Sequence, residues 1–373
     1  MVFNFVLGTA AELIKVYPVI RGAQAAGHPV CVLATGQSRE NFLMQYRDFG
    51  LDESLLAWLL PSQGDLETSG SALRWFFRAY RASGRRAARG RLLPGPVIVH
   101  GDTLSTFIGA RLGHNLGYKV VHIEAGLRSG RLFNPFPEEL TRRLVSRWAR
   151  VHMAPDATAE GNLKRAGVHG EVVCTFGNTL MDAVRGVGGA GSGDIASVGG
   201  KPYAVANIHR YENLNHEARW LKIVNTLVSA CRRGPVVMVL HPQTRHRLHT
   251  DPEARERLEK AGVEMRERMP FSQFIALLKG AEYLISDGGS NQEECSYLGK
   301  PCLLLRLETE RLEGLDGCCV LSRFDDAVIE GFLADPLRFQ GAEVSRDSSP
   351  TEIILNQLTD HSSPAARRPS ISL

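Results

Sequence analysis

Acidic residues in the first half of the chain recur just after apolar runs that are typical of strands. Asp102 lies in HGDTLST, Glu124 in HIEAGLRSG, and Glu138 in the segment RLFNPFPEELTRRL that follows, with Arg128 and Arg142 close in sequence. Ligands of doubly wound sheets bind at the carboxyl ends of the strands, so these side chains are expected to meet at one edge. One such acid can simply cap a helix, but crowded carboxylates raise one another's pKa and divide base and acid roles. The pattern therefore favours a reactive or ligand-binding site.

A histidine follows an apolar run in the second half of the chain. The run YAVANIH ends near His209, which is followed by Arg210, and VVMVLHPQTR carries His241 and Arg245 in a similar arrangement. A histidine in this position can pair with a pyrophosphate or move a proton, and it can also cap the next helix. Both interpretations stay open from the sequence.

The segment LISDGGSNQEECSYLGKPCLLLR combines a strand, a turn and a helix. The strand is expected to end at Asp287, with a tight turn at 288–290 and a helix beginning near Asn291. The N–H groups of such a turn and the helix dipole suit a pyrophosphate. A carboxylate one turn into the helix, such as Glu294, can accept hydrogen bonds from two ribose hydroxyls.

The first apolar run is followed by GTAAELIK, in which Gly8 and Thr9 open a helix and Lys15 lies near its second turn. This start suits either a phosphate site or a plain glycine turn with a solvated lysine. The chain has no nucleotide-binding GxGxxG, since GVGGAG at 186–191 belongs to a glycine-rich stretch, and it has no GxxxxGK[ST] motif, so neither a nicotinamide cofactor nor a kinase-type phosphate loop is supported. Its seven cysteines have no metal-type spacing, so we expect free buried thiols and no cofactor or metal.

The order of apolar runs predicts the fold. Continuous Val, Ile and Leu runs suit strands buried on both faces of a parallel sheet, and helical patterns lie between them. The alternation predicts a doubly wound α/β fold. The predicted strands are Phe3–Leu7, Val30–Ala34, Pro96–His100, Lys119–Ile123, Val151–Ala154, Glu171–Thr175, Tyr203–Asn207, Pro235–Leu240, Tyr283–Ser286, Pro301–Leu305 and Cys318–Leu321.

The length of 373 residues favours two domains. A glycine-rich stretch at 186–200 divides the series of strands and is predicted to be a linker. The expected domains are therefore 1–185, which carries the acids, and 201–360, which binds a nucleotide. The Pro-, Ser- and Arg-rich end, 361–373, is predicted to be disordered.

Overall charge and hydrophobicity narrow the class of partner. The chain has 44 Lys and Arg against 40 Asp and Glu, a net charge of +4, which is too mild to argue for nucleic acid. No apolar run reaches the roughly 18 residues of a membrane span, and the N-terminus lacks the basic region of a signal peptide. We expect a cytoplasmic protein that contacts neither membrane nor nucleic acid.

These segments together resemble the UDP-N-acetylglucosamine 2-epimerase family, from about Val6 to Val320. HIEAGLRSG followed by PFPEE is the most specific part of the match. Further matching segments, in order, are GTAAELIK, ATGQ, HGDTLST, FGNTLMDA, NIHRYENL, LHPQT, SDGGSNQEE, LGKPCLLLR and ETERLEG. The resemblance implies a glycosyltransferase-B type fold, with two Rossmann-like domains and the nucleotide in the cleft between them. It also implies a homodimer that serves polysaccharide or amino-sugar biosynthesis.

The reaction implied by the resemblance inverts C2 of UDP-N-acetylglucosamine (UDP-GlcNAc) to give UDP-N-acetylmannosamine (UDP-ManNAc). UDP leaves by elimination, giving 2-acetamidoglucal, and adds back with opposite stereochemistry at C2. By motif match the catalytic residues are Asp102, Glu124, Glu138, Arg142 and His209, with His209 at the pyrophosphate. The substrate-binding residues implied in the same way are Lys15, His241, Phe274, Gly289, Ser290, Glu294 and Arg311.

The chain departs from the family pattern at three motifs. Where the family usually reads GTRPEAIK, this chain has Ala10 and Ala11 in place of Arg and Pro. Where the family usually reads TGQH, it has Ser38 in place of His. The usual DSGGIQEE reads DGGSNQEE, which moves the serine by two places. In bacterial non-hydrolysing members the His of TGQH helps to bind a second UDP-GlcNAc, which acts as an activator. The departures therefore leave two questions open: whether UDP-GlcNAc activates this protein, and which sugar its substrate carries.

Four other functions remain open from the sequence. A hydrolysing 2-epimerase would release N-acetylmannosamine and UDP, and a related 2-epimerase would act on a modified UDP-sugar such as a diacetamido-uronic acid. A retaining glycosyltransferase would share the fold and the ribose-binding glutamate but would not need the acids of the first domain. A sugar-nucleotide binding protein without activity would not need them either.

Overall fold

A computed structural model of the protein describes residues 1–60, 69–84, 90, 92–129, 137–187, 200–309, 311–315, 317–344 and 349–360. The chain divides into two compact units. The first consists of Met1–Ala183 together with Asp347–Leu373, and the second of Val184–Arg346.

The first unit is built on a parallel seven-stranded sheet in the order β3-β2-β1-β4-β5-β6-β7. Helices on both faces bury almost every side chain of β1, β4 and β5, which explains their continuous apolar sequences. The strands are β1 (Phe3–Leu7), β2 (Val30–Ala34), β3 (Leu56–Trp58), β4 (Val97–His100), β5 (Val120–Ile123), β6 (Val151–Ala154) and β7 (Glu171–Cys174). Its helices are α1 (Ala10–Ala25), α2 (Arg39–Asp48), α3 (Ser69–Ser83), α4 (Leu104–Leu116), α5 (Glu138–Trp148), α6 (Ala157–Arg165) and, at the junction with the second unit, α7 (Leu180–Gly186).

The second unit has a parallel six-stranded sheet in the order β10-β9-β8-β11-β12-β13. Its core packs the helix faces around Trp220 and Phe332 against these strands. The strands are β8 (Ala204–Asn207), β9 (Val236–Leu240), β10 (Val263–Glu267), β11 (Tyr283–Ser286), β12 (Cys302–Leu304) and β13 (Cys319–Leu321). The helices are α8 (Tyr211–Leu214), α9 (Glu217–Ala230), α10 (Pro242–Thr250), α11 (Pro252–Ala261), α12 (Phe271–Gly280), α13 (Gly289–Leu298) and α14 (Asp326–Ala334).

The predicted doubly wound α/β class is confirmed, and each of the eleven predicted strands matches an observed one to within one residue at either end. Two observed strands were not predicted, β3 and β10, and both lie at the edge of a sheet. β3 has only three residues, and β10 reads VEMRE, in which only Val263 is buried. An edge strand does not need a continuous apolar sequence, because it is covered on fewer sides than an interior strand.

The last described helix, α15 (Pro350–Asp360), belongs to the first unit. It packs on α1 where Gly22 leaves room for Leu355, since a Cβ at Gly22 would lie 2.3 Å from Leu355 Cδ1. Asp182 accepts hydrogen bonds from the Thr351 N–H at 2.9 Å and Ser349 Oγ at 3.0 Å. The sequence placed this helix in the second domain, because nothing in its pattern shows that the chain returns to the first sheet.

The remaining domain predictions fall mostly outside the described residues. Of the predicted linker 186–200, residues 188–199 are not described, and neither is the predicted disordered tail 361–373. Among the helices that are described, none is long and apolar enough to cross a membrane. Within the same ranges no group of three or more His, Cys, Asp or Glu side chains is arranged to hold a metal ion.

Candidate active site

The first unit holds what we call the acid cluster: Lys15, Asp102, Glu124, Glu138 and Arg142. Lys15 lies on α1, which follows β1; Asp102 follows β4 and Glu124 follows β5; Glu138 and Arg142 lie on α5. β1, β4 and β5 are adjacent parallel strands, so the segments after them emerge at the same edge of the sheet. The structure thus places Asp102 and Glu124 at one edge of the sheet, and Arg142, which contacts Asp102, lies one turn after Glu138 on α5.

A close approach at the end of β1 helps to assemble this edge. A Cβ at Gly8 would lie 1.8 Å from Ser105 Oγ and 2.6 Å from Thr35 Oγ1. Only glycine therefore allows the end of β1 to pass directly under the first turn of α4. The backbone of GTAAELIK is in this way drawn against HGDTLST, the segment that carries Asp102.

Glu124 is held in a fixed orientation by its backbone and by two donors. Its φ is +60°, a left-handed conformation that non-glycine residues rarely adopt and that costs about 1–3 kcal/mol. Its carboxylate Oε2 accepts a 2.5 Å charged hydrogen bond from Lys15 Nζ and a short hydrogen bond from Asn178 Nδ2. His100 Nε2 lies 3.8 Å from the same oxygen. Strained backbone of this kind clusters at functional sites, where the surrounding structure holds it.

Asn178 was missed by the sequence analysis although FGNTLMDA was part of the family resemblance. It follows β7, at the far edge of the sheet from β1, and is separated from Glu124 by more than fifty residues. The strand-end rule that selected the acids could have selected it too, because amides are common ligand-binding groups. In the structure, its side chain donates a hydrogen bond to the Glu124 carboxylate.

Asp102 forms an ion pair with Arg142, another of the residues that the resemblance implied to be catalytic. The guanidinium Nη2 donates a short hydrogen bond to Asp102 Oδ2, and Nη1 lies 3.4 Å from Glu139 Oε2. The side chains of Asp102 and Arg142 are 25% and 16% exposed. Arg142 therefore joins a solvent-accessible carboxylate to a buried one.

Glu139 is the buried anchor of α5. It is fully buried and accepts hydrogen bonds from the Ser129 N–H at 3.2 Å and from Arg143 Nε at 3.0 Å. Burial alone would raise the pKa of Glu139, but these hydrogen bonds and the charges of Arg128 and Arg142 outweigh it and lower the pKa. Glu139 ties HIEAGLRS to α5, a role that the sequence analysis did not assign.

Glu138 differs sharply from its neighbour. It is the first residue of α5 and is partly buried. Its Oε2 is buried without a hydrogen-bond partner among the residues that the structure describes. The rest of its loop, residues 130–136, lies outside the described ranges. Among the three predicted acids, Asp102 and Glu124 have cationic partners in the structure, whereas no cation is recorded on Glu138 within the described ranges.

Glu12 binds the backbone N–H groups at the start of GTAAELIK. It closes a capping box with Thr9 and accepts from the N–H groups of Gly8 and Thr9, each at 2.8 Å. Thr103 Oγ1 donates to its other oxygen at 2.7 Å, and burial raises the pKa of Glu12. Because Glu12 occupies the N–H groups that could have held a phosphate, the structure favours the alternative of a plain glycine turn. Lys15 is nevertheless not the solvated lysine of that alternative, since it is 8% exposed and bound to Glu124.

In the second unit, Asp287 organises the segment after β8. It is fully buried, and its carboxylate accepts from the N–H of His209 at 2.9 Å and of Arg210 at 3.0 Å. Asn213 Nδ2 donates to it as well, at 3.0 Å. β8 and β11 are adjacent parallel strands, so an acid at the end of one fixes the loop at the end of the other. This contact sets the position of His209.

His209 and His241 stack on one another, with ring centroids 4.6 Å apart. Burial lowers the pKa of His209, against the charge of Asp287, whose Oδ1 lies 3.5 Å from His209 Nδ1. Burial and the neighbouring His209 lower the pKa of His241 to about 3. Both rings are therefore neutral at pH 7, and they act as hydrogen-bond or proton-transfer groups rather than as fixed cations. Neither side chain caps a helix, so the capping interpretation is not supported.

Helix α13 begins at Gly289, slightly earlier than predicted, with Gly288 as its N-cap residue. Ser290 is exposed in its first turn, where backbone N–H groups lack intrahelical partners. Glu294, one turn further, is 5% exposed and accepts a 2.7 Å hydrogen bond from Asn291. This helix start has the geometry of an anion site.

The comparisons with known proteins identify the family. The family model described as UDP-N-acetylglucosamine 2-epimerase matches residues 24–346. The chain belongs to this family of isomerases. A Bacillus subtilis UDP-N-acetylglucosamine 2-epimerase is 32% identical over 267 residues, covering 69% of this chain and 68% of its own. One from Yersinia pestis is 29% identical over 334 residues, covering 85% of each.

Solved structures of family members share the fold. The UDP-GlcNAc 2-epimerase from Methanocaldococcus jannaschii superimposes with a TM-score of 0.78 at 24% identity, covering 96% of this chain and all of the other. The S. aureus MnaA–UDP co-structure gives 0.75 at 25% identity and covers 99% of each chain. The fold is thus of the predicted glycosyltransferase-B type, with two parallel-sheet α/β units.

Two further family positions, Phe274 and Arg311, remain predictions as substrate contacts. Phe274 is 8% exposed on α12. The Arg311 guanidinium forms a short ion pair with Glu293, which is 1% exposed, and the Arg311 carbonyl accepts from Gln292 Nε2 at 3.1 Å. Buried residues of α13 thereby hold the backbone and the side chain of Arg311 in place.

Proposed function

We propose that the protein interconverts UDP-GlcNAc and UDP-ManNAc. UDP is eliminated as the C2 proton is removed, giving 2-acetamidoglucal. UDP then adds back while a proton is delivered to the opposite face of C2. The reaction requires at least two acid–base groups and a site that stabilises the leaving pyrophosphate.

The observation that carries the proposal is the arrangement of the acid cluster. Asp102 and Glu124 are ion-paired with Arg142 and Lys15, and their carboxylates are proposed to stabilise the positive charge that develops at C1. Glu138 has a carboxylate oxygen without a hydrogen-bond partner in the described part of the chain, which suits a group that exchanges a proton with one face of C2. An inactive binding protein would not need Asp102 and Glu124 at adjacent strand ends together with Glu138 at the start of α5.

The second unit supplies the features that UDP requires. The start of α13 with Gly289 and Ser290 is proposed to bind the pyrophosphate, together with the neutral His209 as a hydrogen-bond donor. Glu294 is proposed to accept from the ribose hydroxyls. The fixed surroundings of each group support these roles, because preorganised donors do not have to reorient as the charge develops.

Incubation of the protein with UDP-GlcNAc in deuterated water tests the function, with NMR as the readout. We expect UDP-ManNAc that carries deuterium at C2, because the proton removed from C2 exchanges with solvent. Product without deuterium would contradict the proton-transfer mechanism. Free N-acetylmannosamine with UDP would identify a hydrolysing 2-epimerase, and unchanged UDP-GlcNAc would favour a modified UDP-sugar or a glycosyltransferase.

We also propose that the protein is a homodimer that associates through α3. Leu73, Phe77 and Tyr80 are spaced to form one face of that helix, and their exposed fractions are 57%, 54% and 38%. A stripe of large exposed apolar side chains marks an interaction surface.

Phe77→Asp is expected to convert the dimer to a monomer, as measured by size-exclusion chromatography coupled to light scattering. The matched control is Leu221→Asp, at a residue of α9 in the second unit that is 51% exposed, which should leave the mass unchanged.

A further inference from the structure

A buried chain of hydrogen bonds runs beneath the start of α13. Ser286 Oγ lies 2.8 Å from Asn291 Oδ1, and Asn291 Nδ2 donates to Glu294 Oε2 at 2.7 Å. Ser286 Oγ also accepts from the Gly288 N–H at 3.0 Å. All four residues are buried. The end of β11 is in this way connected to a carboxylate one turn into the helix.

The charge of the carboxylate determines how the Asn291 amide is oriented. If the amide were reversed, its oxygen would face Glu294 and the two acceptors would repel one another. With Nδ2 toward Glu294, Oδ1 faces the Ser286 hydroxyl, whose single proton can go either to Oδ1 or to the Asn207 carbonyl oxygen, each at 2.8 Å. The orientation of the Asn291 amide is therefore set by the Glu294 carboxylate, which can only accept.

Asn291 occupies space that a side chain at position 288 would need. A Cβ at Gly288 would lie 2.7 Å from Asn291 Oδ1 and 2.7 Å from His209 Cε1. The family pattern DSGGIQEE has Ser at 288 and Ile at 291, and this chain differs at both positions. The glycine and the asparagine are thus one coupled change: Asn291 fits because Gly288 has no side chain, and an isoleucine could not make either hydrogen bond.

We propose that Asn291 is a positioning residue that fixes the Glu294 carboxylate for the two ribose hydroxyls of the nucleotide. The inference rests on the proposed function, in which Glu294 binds the ribose of UDP. A glutamate has several rotamers, and restricting them before binding removes part of the entropic cost of association. Asn291 acts by this restriction and does not itself contact the nucleotide.

Calorimetric titration with UDP and with 2′,3′-dideoxy-UDP tests this role, because the second ligand lacks the hydroxyls. We expect the wild-type protein to bind UDP at least about tenfold more tightly than the dideoxy compound, the scale of hydrogen bonds to a charged group. Asn291→Leu, which has a similar volume and no polar atoms, should weaken UDP binding about tenfold and leave dideoxy-UDP binding within about twofold. Loss of affinity for both ligands to the same extent would overturn the proposal, since it would show a general structural effect.

A second variant and two controls separate positioning from destabilisation. Asn291→Asp keeps an acceptor for Ser286 but replaces the donor to Glu294 with a second carboxylate, so it should reduce the preference for UDP even if Asn291→Leu folds poorly. Tyr203→Phe removes another buried hydrogen bond of the second unit, from Tyr203 Oη to Leu277 O at 2.7 Å, and should not change the preference. In a Glu294→Ala background, Asn291→Leu should have no further effect on UDP affinity.

The remaining outcomes distinguish this inference from the function on which it rests. Wild-type protein that does not bind UDP would overturn the proposed function, and the inference with it. Wild-type protein that binds UDP, with an unchanged preference for UDP in both Asn291 variants, would overturn the inference alone.

The double variant at 288 and 291 tests the coupled change. Gly288→Ser should lower UDP affinity through its contacts with Asn291 and His209, and adding Asn291→Ile should recover part of the loss. Two independent losses of affinity that add would contradict the coupled change.

Discussion

Glu138→Gln is expected to lower the turnover of UDP-GlcNAc by at least about a hundredfold, the usual contribution of a general acid–base group. The substitution keeps the size of the side chain but removes its charge and its ability to accept a proton. UDP affinity should barely change, because the groups proposed to bind UDP lie in the second unit. Steady-state turnover and calorimetric titration with UDP, measured on the same preparation, check both parts.

The adjacent Glu139 provides a matched control, since Glu139→Gln makes the same chemical change one residue further along α5. Glu139 is fully buried against Arg142, Arg143 and the Ser129 N–H, so its neutralisation removes one charge partner from each of these cations. We expect Glu139→Gln to lower the thermal midpoint clearly, and Glu138→Gln to leave it close to wild type. A Glu138→Gln protein that turns over normally would remove Glu138 from the mechanism.

The complementary substitution is Glu294→Ala, in the second unit. It should weaken UDP binding by roughly 1.5–3 kcal/mol, the scale of hydrogen bonds to a charged group, and lower turnover at saturating substrate much less. If instead Glu138→Gln lost UDP binding while Glu294→Ala retained it, the assignment of chemistry to the first unit and of nucleotide binding to the second would be wrong.

The interior of both sheets could be predicted from the sequence because burial on two faces demands continuous apolar runs. The same reasoning failed at two of the edge strands, β3 and β10, because one has only three residues and the other reads VEMRE, without a continuous apolar run. It also failed at α15, whose amphipathic pattern fits either unit. Which sheet a terminal helix covers depends on a tertiary contact, here Leu355 against Gly22, that has no local signature.

The acids of the candidate site could be predicted for a related reason. Strand ends are visible in the sequence, and parallel strands bring their carboxyl ends to one edge, so Asp102 and Glu124 were found together. Two other contacts at this edge of the sheet could not be predicted, because each joins distant segments of the chain. Asn178 reaches Glu124 from beyond β7, and Glu12 holds Thr103 across the start of α4. Nor does the sequence show that Glu139 is buried whereas Glu138 keeps an oxygen without a partner among the described residues.

Lys15→Met is expected to destabilise the ligand-free protein by about 3–5 kcal/mol, the cost of removing one partner of a buried ion pair. Lys15 and Glu124 are 8% and 9% exposed, and their atoms are 2.5 Å apart. Without the ammonium, the Glu124 carboxylate keeps its strained backbone and its burial but loses its charge partner. Urea unfolding of the ligand-free protein, followed by a signal from the first unit, measures the change. A lysine that served only to bind phosphate would give the opposite result, because its removal would leave the ligand-free protein as stable as before.

The double variant Lys15→Met with Glu124→Gln decides between these roles. Removing both charges eliminates the uncompensated carboxylate, and replacing a buried ion pair by neutral groups of similar volume is often close to neutral in stability. The amide oxygen introduced by Glu124→Gln can still accept the hydrogen bond that Asn178 donates to the carboxylate in the wild-type protein. We therefore expect the double variant to regain most of the stability lost in Lys15→Met while remaining inactive, because Glu124 is part of the proposed acid cluster. If the two substitutions instead destabilised the protein additively, the 2.5 Å contact would not act as a coupled pair, and Lys15 would have to be assigned to the nucleotide after all.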